Sequence, residues 1–420
     1  MILRVRRSDV WGSIKAPPSK SYTHRALICS ALARGESRIS SPLQSDDTIA
    51  TSRALRMLGV EISEEPERWT VRADELHKPE SELFCDESGT TLRFMTSLSS
   101  LVNGECKLTG GPSLSKRPMD PLLQGLRQMG VECSGVKGHP PILIKGEGKI
   151  RGGNVSMRGD VSSQFVSAIL LIAPRASGGT TLELTTPLES KPYVSMTIDV
   201  QRAFGVESKP SKDMRTFKAG EQMYEPSSYS VEGDWSSASY LLAAGALGGE
   251  VTIDGLNNGS LQADANVARI LRLMGAETTR VEGGLCVRRS DLQSIEADLS
   301  DSPDLFPIVS TLCAVADGES VLTGVGRLQY KESNRGAAMI DGLSRMGIKV
   351  ADFGDHVVIT GGSPKGCMIN TRKDHRIAMA FAVLGLAAEG ETKITHAECV
   401  AKSYPGFWGA LERLGADLGG

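Results

Sequence analysis

One stretch of this chain is written six times. A small polar or basic opening runs into an apolar, helix-like segment, breaks at a glycine and re-emerges as a short strand-like run. The copies are PPSKSYTHRALICSALARGESRIS, ESGTTLRFMTSLSSLVNGECKLTG, DVSSQFVSAILLIAPRASGGTTLELT, GDWSSASYLLAAGALGGEVTIDG, DSPDLFPIVSTLCAVADGESVLTG and KDHRIAMAFAVLGLAAEGETKITH. Their breaking glycines (Gly35, Gly104, Gly179, Gly249, Gly318 and Gly390) stand 69 to 75 residues apart. A second repeat alternates with the first, an amphipathic helix ending in an apolar residue and Gly59, Gly130, Gly205, Gly275, Gly347 or Gly415. Glycine after the last periodic residue is a helix-stop signal, because it takes positive φ cheaply. Beyond it, runs such as VEISEEPERWTVRAD and IKVADFGDHVVITGG read as hairpins. A period of this kind means one supersecondary unit repeated. Each unit reads as helix, strand, helix, strand, strand.

The sixth copy stops near Leu418 without its final strand, and the orphan run Ile2 to Arg6, ILRVR, is the natural replacement. Both chain ends then share one domain, and three units fall in each half. The expected domains are 1–15 with 229–420, and an inserted domain, 16–228, entered and left by adjacent crossovers near Ala16 and Ser230. A chain of 420 residues is too long for one ordinary core, in keeping with two domains.

A net charge of −3 provides no global basic field for nucleic acid or anionic lipid, and no apolar run reaches spanning length. The eight cysteines are scattered singly, with no metal-type spacing. They read as buried free thiols in a reducing cytoplasm.

The polar residues gather where the first helix of each unit begins: Ser19-Lys20-Ser21, Ser88-Gly89-Thr90, Ser162-Ser163-Gln164, Ser236-Ser237, Asp304 and Asp374-His375-Arg376. Taken singly each is a helix cap. Six helix starts together, each with free N–H donors and the positive end of a dipole, form anion sites. Lys20, Arg25, Arg93, Lys116, Arg117, Lys331, Arg335, Arg376 and Lys402 lie at or near those starts. The pattern predicts a site for one or two small, multiply anionic substrates. Asp304 and Glu332 admit two readings, a cap or first-turn charge on one side and proton handling beside bound anions on the other. His24 and His375 also lie at helix starts, where His375 is read as orienting Arg376 or satisfying a turn.

At these motifs the chain resembles the enolpyruvyl transferases, and among them the branch that acts on shikimate 3-phosphate. The resemblance covers the whole chain and rests on PPSKSYTHRAL, ESGTTLRF, SKRPMDPL, SSQFVSA, SKPY, SPDLFP, YKESNR, DHRIAMA and AKSYPGFW in the family's order. It implies two inside-out α/β domains of three repeats each, closing on substrates in an inter-domain cleft. It implies enolpyruvyl transfer from phosphoenolpyruvate to the 5-hydroxyl of shikimate 3-phosphate by addition and elimination, without metal or organic cofactor. By motif, Lys20, Ser21, Arg25, Ser162, Ser163, Gln164, Ser190, Tyr193, Asp304 and Lys331 resemble the shikimate 3-phosphate contacts. Lys20, Gly89, Arg117, Gln164, Arg335, Arg376 and Lys402 resemble the phosphoenolpyruvate contacts. Asp304 and Glu332 would carry protons, with Lys20 assisting. A monomer is the simplest expectation.

Three residues depart from the family pattern. Glu87 stands where Asn is common, Arg327 where Asn or His is common, and Asn334 where Asp is usual. Rival readings are a transferase acting on a UDP-amino sugar, an RNA 3′-phosphate cyclase and a non-catalytic anion-binding paralogue. The first uses a Cys in the loop before its Arg-Pro, which GGPSLSKRPMD lacks; Cys106 nearby reads as core.

Overall fold

The computed structural model describes residues 1–420, which form two compact units, Met1–Pro17 with Glu232–Gly420 and Pro18–Val231. Each unit contains three four-stranded sheets, and all six sheets share one plan. An edge strand pairs parallel with a central strand, and two antiparallel strands complete the order. In one sheet these are Glu296–Asp298, Glu319–Thr323, His356–Thr360 and Lys349–Asp352. The antiparallel pairs are the hairpins read from sequence, such as Glu61–Glu65 with Arg68–Ala73. The parallel edge strand is an addition to that reading. It makes four of the repeats a βαβ crossover followed by a second helix and a hairpin, because parallel strands need a long connection between them.

In four repeats the edge strand directly precedes its helix: Leu83–Phe84, Ile150–Met157, Glu296–Asp298 and Met368–Ile369. In the other two it is exchanged. Val10–Lys15 leads into the helix Lys20–Leu32 but pairs with Gly249–Asp254. Ser228–Ser230 leads into Trp235–Gly248 but pairs with Gly35–Ser40. The segments that follow these strands are hydrogen-bonded to each other, the Asp234 N–H donating to the Pro17 carbonyl at 2.7 Å. Ile2–Arg6 lies between Glu391–Thr395 and Asp417–Gly419, antiparallel to both, with Val5 fully buried.

The first helices form the cores. Tyr22 to Leu32 of one, and His375 to Leu386 of another, are buried without a break. A helix that is closed to water on every side must be wrapped by other elements. Here the wrapping is done by the sheets and by the second helices, such as Asp46–Met57 and Arg335–Arg345, which bury one face only. The six cap glycines all take positive φ, between 77° and 102°.

Packing is close where the second helix Arg335–Arg345 meets the first helix His375–Ala387. A methyl group on Gly342 would overlap the fully buried Phe381 ring. We expect Gly342→Ala to cost about 1–3 kcal/mol of stability, the usual penalty of an overpacked core. Adding Phe381→Leu should recover part of that loss. Denaturant unfolding of both single variants and the pair would check it, and additive losses would contradict the contact.

Candidate functional site

In the unit that contains both chain ends, four elements bring charges to one place. Asp304 sits in the short turn Pro303–Leu305 that opens Phe306–Cys313, and Arg335 and Arg376 lie at the starts of their helices. Lys402 ends the turn Ala397–Lys402. Arg335 is only 1% exposed and meets three carboxylates: Asp374 at 2.9 Å, Asp304 at 2.7 Å and Glu332. Arg376 donates to the second Asp304 oxygen at 3.0 Å and to the Ser236 hydroxyl. Lys331 reaches Asp304 at 3.2 Å, and Lys402 lies 3.7 Å from Glu332. Asp374 Oδ1 accepts the Arg376 backbone N–H at 3.0 Å as the helix cap. Lys331, Glu332, Arg335, Arg376, Lys402 and Asp304 therefore form one network.

Burial opposes ionisation of Asp304, but Arg376, Lys331 and Arg335 outweigh it and hold the carboxyl well below its ordinary range. Burial pulls the Lys331 ammonium down, and Asp304 offsets part of that pull. In this state Asp304 is a proton acceptor. The surrounding cations suit phosphate and carboxylate groups, with the Arg forks matching them two oxygens at a time.

In the other unit, Lys20 begins its helix and its Nζ lies 2.9 Å from Asp47 Oδ2, which is buried in the first turn of Asp46–Met57. Arg25 is 2% exposed and is held by Thr197 Oγ1 (2.8 Å), the Ser21 carbonyl (2.8 Å) and the Tyr193 carbonyl (2.9 Å). Burial lowers its pKa to about 10. Ser162 caps Ser163–Ile172 by accepting the Gln164 N–H, and the Gln164 side chain joins Arg93 to Thr90. Ser190 takes left-handed backbone angles, φ 55° and ψ 47°, just before the helix Lys191–Ala203 that presents Tyr193. Gly89 opens Gly89–Leu98 directly under two guanidinium groups: an added Cβ would overlap Arg117 and lie 2.9 Å from Arg93.

The departures from the family pattern have local explanations. Glu87 accepts the Leu114 N–H at 2.8 Å and the Ser113 N–H at 3.3 Å, which anchors the loop leading to Arg117. Arg327 donates to the Ser300 carbonyl at 2.7 Å, and Asn334 caps Arg335–Arg345 through the Ala337 N–H. The helix start read at Ser236-Ser237 moves to Asp234, whose carboxylate accepts the Ser237 N–H; Ser236 turns to Arg376 instead. Asp47 and Asp374 are site residues that the candidate list lacks. DHR contained the signal for Asp374, and SDDT, at the start of a second helix, contained it for Asp47.

Two outcomes follow from this geometry. Asp304→Asn strips a carboxylate from three cations and should cost about 3 kcal/mol near pH 7, as breaking a buried ion pair does. Because the folded pKa is depressed, Asp304 contributes its stability above the ordinary carboxylate value, about 3.9. That contribution is lost as pH falls through the lowered folded value. The gap between variant and wild type, followed by unfolding at pH 7 and pH 3, should narrow in acid. Gly89→Ala should displace Arg117 and weaken binding of a phosphorylated ligand in this unit about tenfold, the scale of one charge-assisted hydrogen bond. Titration calorimetry would read the change.

A family model described as EPSP synthase (3-phosphoshikimate 1-carboxyvinyltransferase) matches residues 5–411. A 3-phosphoshikimate 1-carboxyvinyltransferase of Dehalococcoides mccartyi is 45% identical over 420 residues, covering 100% of this chain and 99% of the relative. One from Methanocorpusculum labreanum is 40% identical with the same coverage. Among solved structures, the EPSP synthase of Acinetobacter baumannii superposes with a TM-score of 0.85 at 29% identity, covering 100% of this chain and 99% of that one. The enolpyruvyl transferase NikO of Streptomyces tendae shares the fold, with a TM-score of 0.81 at 19% identity over 100% of this chain and 98% of its own. Whole-length matches at these identities decide the family: the chain belongs to the EPSP synthases.

Proposed function

We propose that the protein transfers the enolpyruvyl group of phosphoenolpyruvate to the 5-hydroxyl of shikimate 3-phosphate and releases phosphate. The observation that supports this reading most is the cluster of Asp304 and Glu332 among Lys331, Arg335, Arg376 and Lys402. The cations suit two anionic substrates, and the carboxylates supply the proton transfers that the reaction requires.

The steps balance as follows. The hydroxyl oxygen bonds to the enol carbon of phosphoenolpyruvate, its proton leaves to a base, and the methylene carbon gains a proton to become methyl. In the tetrahedral adduct the methyl then loses a proton, the carbon–oxygen bond to phosphate breaks, and phosphate departs. Asp304, held ionised, suits the role of acceptor for the hydroxyl proton. Glu332 is left as the carboxyl for the methylene carbon, with Lys20 assisting. Lys20, Ser21, Arg25, Ser162, Ser163, Gln164, Ser190, Tyr193, Asp304 and Lys331 are assigned to shikimate 3-phosphate. Lys20, Gly89, Arg117, Gln164, Arg335, Arg376 and Lys402 are assigned to phosphoenolpyruvate. Guanidinium and ammonium groups fixed in advance stabilise charge as it develops. Turnover requires both units to reach the same pair of substrates. One chain supplies every assigned residue, which favours a monomer. Eight unpaired cysteines favour the reducing cytoplasm.

The test is phosphate release from phosphoenolpyruvate with shikimate 3-phosphate, in the presence of a chelator and beside a reaction containing UDP-N-acetylglucosamine. Release with the first acceptor alone, undiminished by the chelator, is expected. Release with neither acceptor, from folded protein, would overturn the reading. Lys20→Met and Arg117→Ala should fold, bind anions weakly and lose at least about 100-fold in turnover, the scale of one lost stabilising contact in a transition state. Unchanged turnover would reduce the helix starts to caps.

A further inference from the structure

His24 lies in the second turn of Lys20–Leu32 with its side chain wholly buried, and none of the assigned roles uses it. Its Nδ1 is 2.8 Å from Thr51 Oγ1, which is 2.7 Å from Thr91 Oγ1. Thr91 Oγ1 is in turn 2.7 Å from Ser88 Oγ and 3.1 Å from the Asp47 carbonyl. Ser88 Oγ also accepts the Thr91 N–H and so caps Gly89–Leu98. This hydroxyl chain joins three helices: one begins with Lys20, one holds Asp47 in its first turn, and one begins with Gly89.

Counting protons orients the chain. The single Thr91 hydroxyl proton is donated to Ser88 Oγ at 2.7 Å, with the Asp47 carbonyl, which only accepts, 3.1 Å away. Neither partner leaves Thr91 a proton for Thr51, so Thr51 donates to Thr91 and must itself receive a proton from His24 Nδ1–H. That leaves Nε2 as the bare nitrogen, and it is buried with no hydrogen-bond partner. A second proton there would be a charge without solvation. Burial accordingly lowers the imidazole pKa to about 3; Asp47 pulls the other way, and Lys20 and Arg25 add to the lowering.

We propose that His24 is a positioning residue for enolpyruvyl transfer, whose neutral Nδ1–H anchors the hydroxyl chain that fixes Asp47 beside Lys20 and the helix start at Gly89. The role rests on the transfer reaction assigned above. It predicts a larger effect on phosphoenolpyruvate, which is assigned to both Lys20 and Gly89, than on shikimate 3-phosphate, which shares Lys20 but is also assigned to Arg25 and to residues outside the hydroxyl chain.

Two measurements test it, and they fail separately. In protein labelled with 15N-histidine, the His24 ring, assigned by its loss in His24→Asn, should stay in the Nδ1–H form from pH 5 to 8. The Nε2–H form, or titration in that range, would overturn the chain whatever the activity. In kinetics, His24→Leu keeps the bulk and removes the donor. It should lower kcat/KM for phosphoenolpyruvate about 10- to 100-fold, the scale of a small misplacement of binding groups, with a clearly smaller loss of shikimate 3-phosphate affinity. His24→Asn, whose amide can donate to Thr51, should recover most of the loss. Should His24→Leu fail to fold, Thr51→Val breaks the next link and carries the same expectation. Equal losses in the Asn and Leu variants, or equal weakening of both substrates, would overturn the positioning role. Absence of turnover in the wild type would count against the transfer reaction instead, and the ring spectrum would still decide the chain.

Discussion

Arg335 is the residue on which the candidate site turns. One guanidinium, shut away from water, engages Asp304, Glu332 and Asp374, which arrive on three different stretches of chain. Burying any of these groups alone would cost several kcal/mol, so the cluster exists only as a whole. Arg376, Lys331 and Lys402 supply the remaining positive charge. The arrangement keeps two acids ionisable beside the cations that anionic substrates need. It also explains why the ends of Phe306–Cys313, Arg335–Arg345 and His375–Ala387 are held together more tightly than caps alone would hold them.

The fold explains why these residues meet. A buried first helix must end its backbone bonding somewhere, and its start is where unsatisfied N–H groups and the dipole favour polar side chains. Repeating that helix three times per unit repeats the opportunity. The exchange of Val10–Lys15 and Ser228–Ser230 between opening sheets shows how one repeat plan survives an inserted unit: each sheet keeps its parallel edge strand, supplied by the segment that leads into the other unit's first helix.

Much of this was legible in the residues. Period, cap glycines and hairpins are local signals, and the missing last strand of the sixth repeat pointed to Ile2–Arg6. The shortest parallel edge strands were not legible, because Leu83–Phe84 and Met368–Ile369 are two residues long and show no alternation. Their place is decided by the central strand they meet. At the site, residue types at helix starts marked Asp304, Arg335 and Arg376, whereas Asp47 required knowing which second helix turns toward Lys20. Glu87 shows the converse. It departs from the family's common Asn, yet it accepts two backbone N–H groups, partners that spacing alone does not show.

The central claim is that carboxylates held among cations move protons at carbon during transfer. The most direct measurement is the reaction run in deuterium oxide, with mass analysis of the methylene group of the enolpyruvyl product. Protonation to methyl followed by loss of a proton predicts deuterium in that group. Product formed with no deuterium would mean that the methylene carbon is never protonated from an exchangeable acid, and would contradict the account.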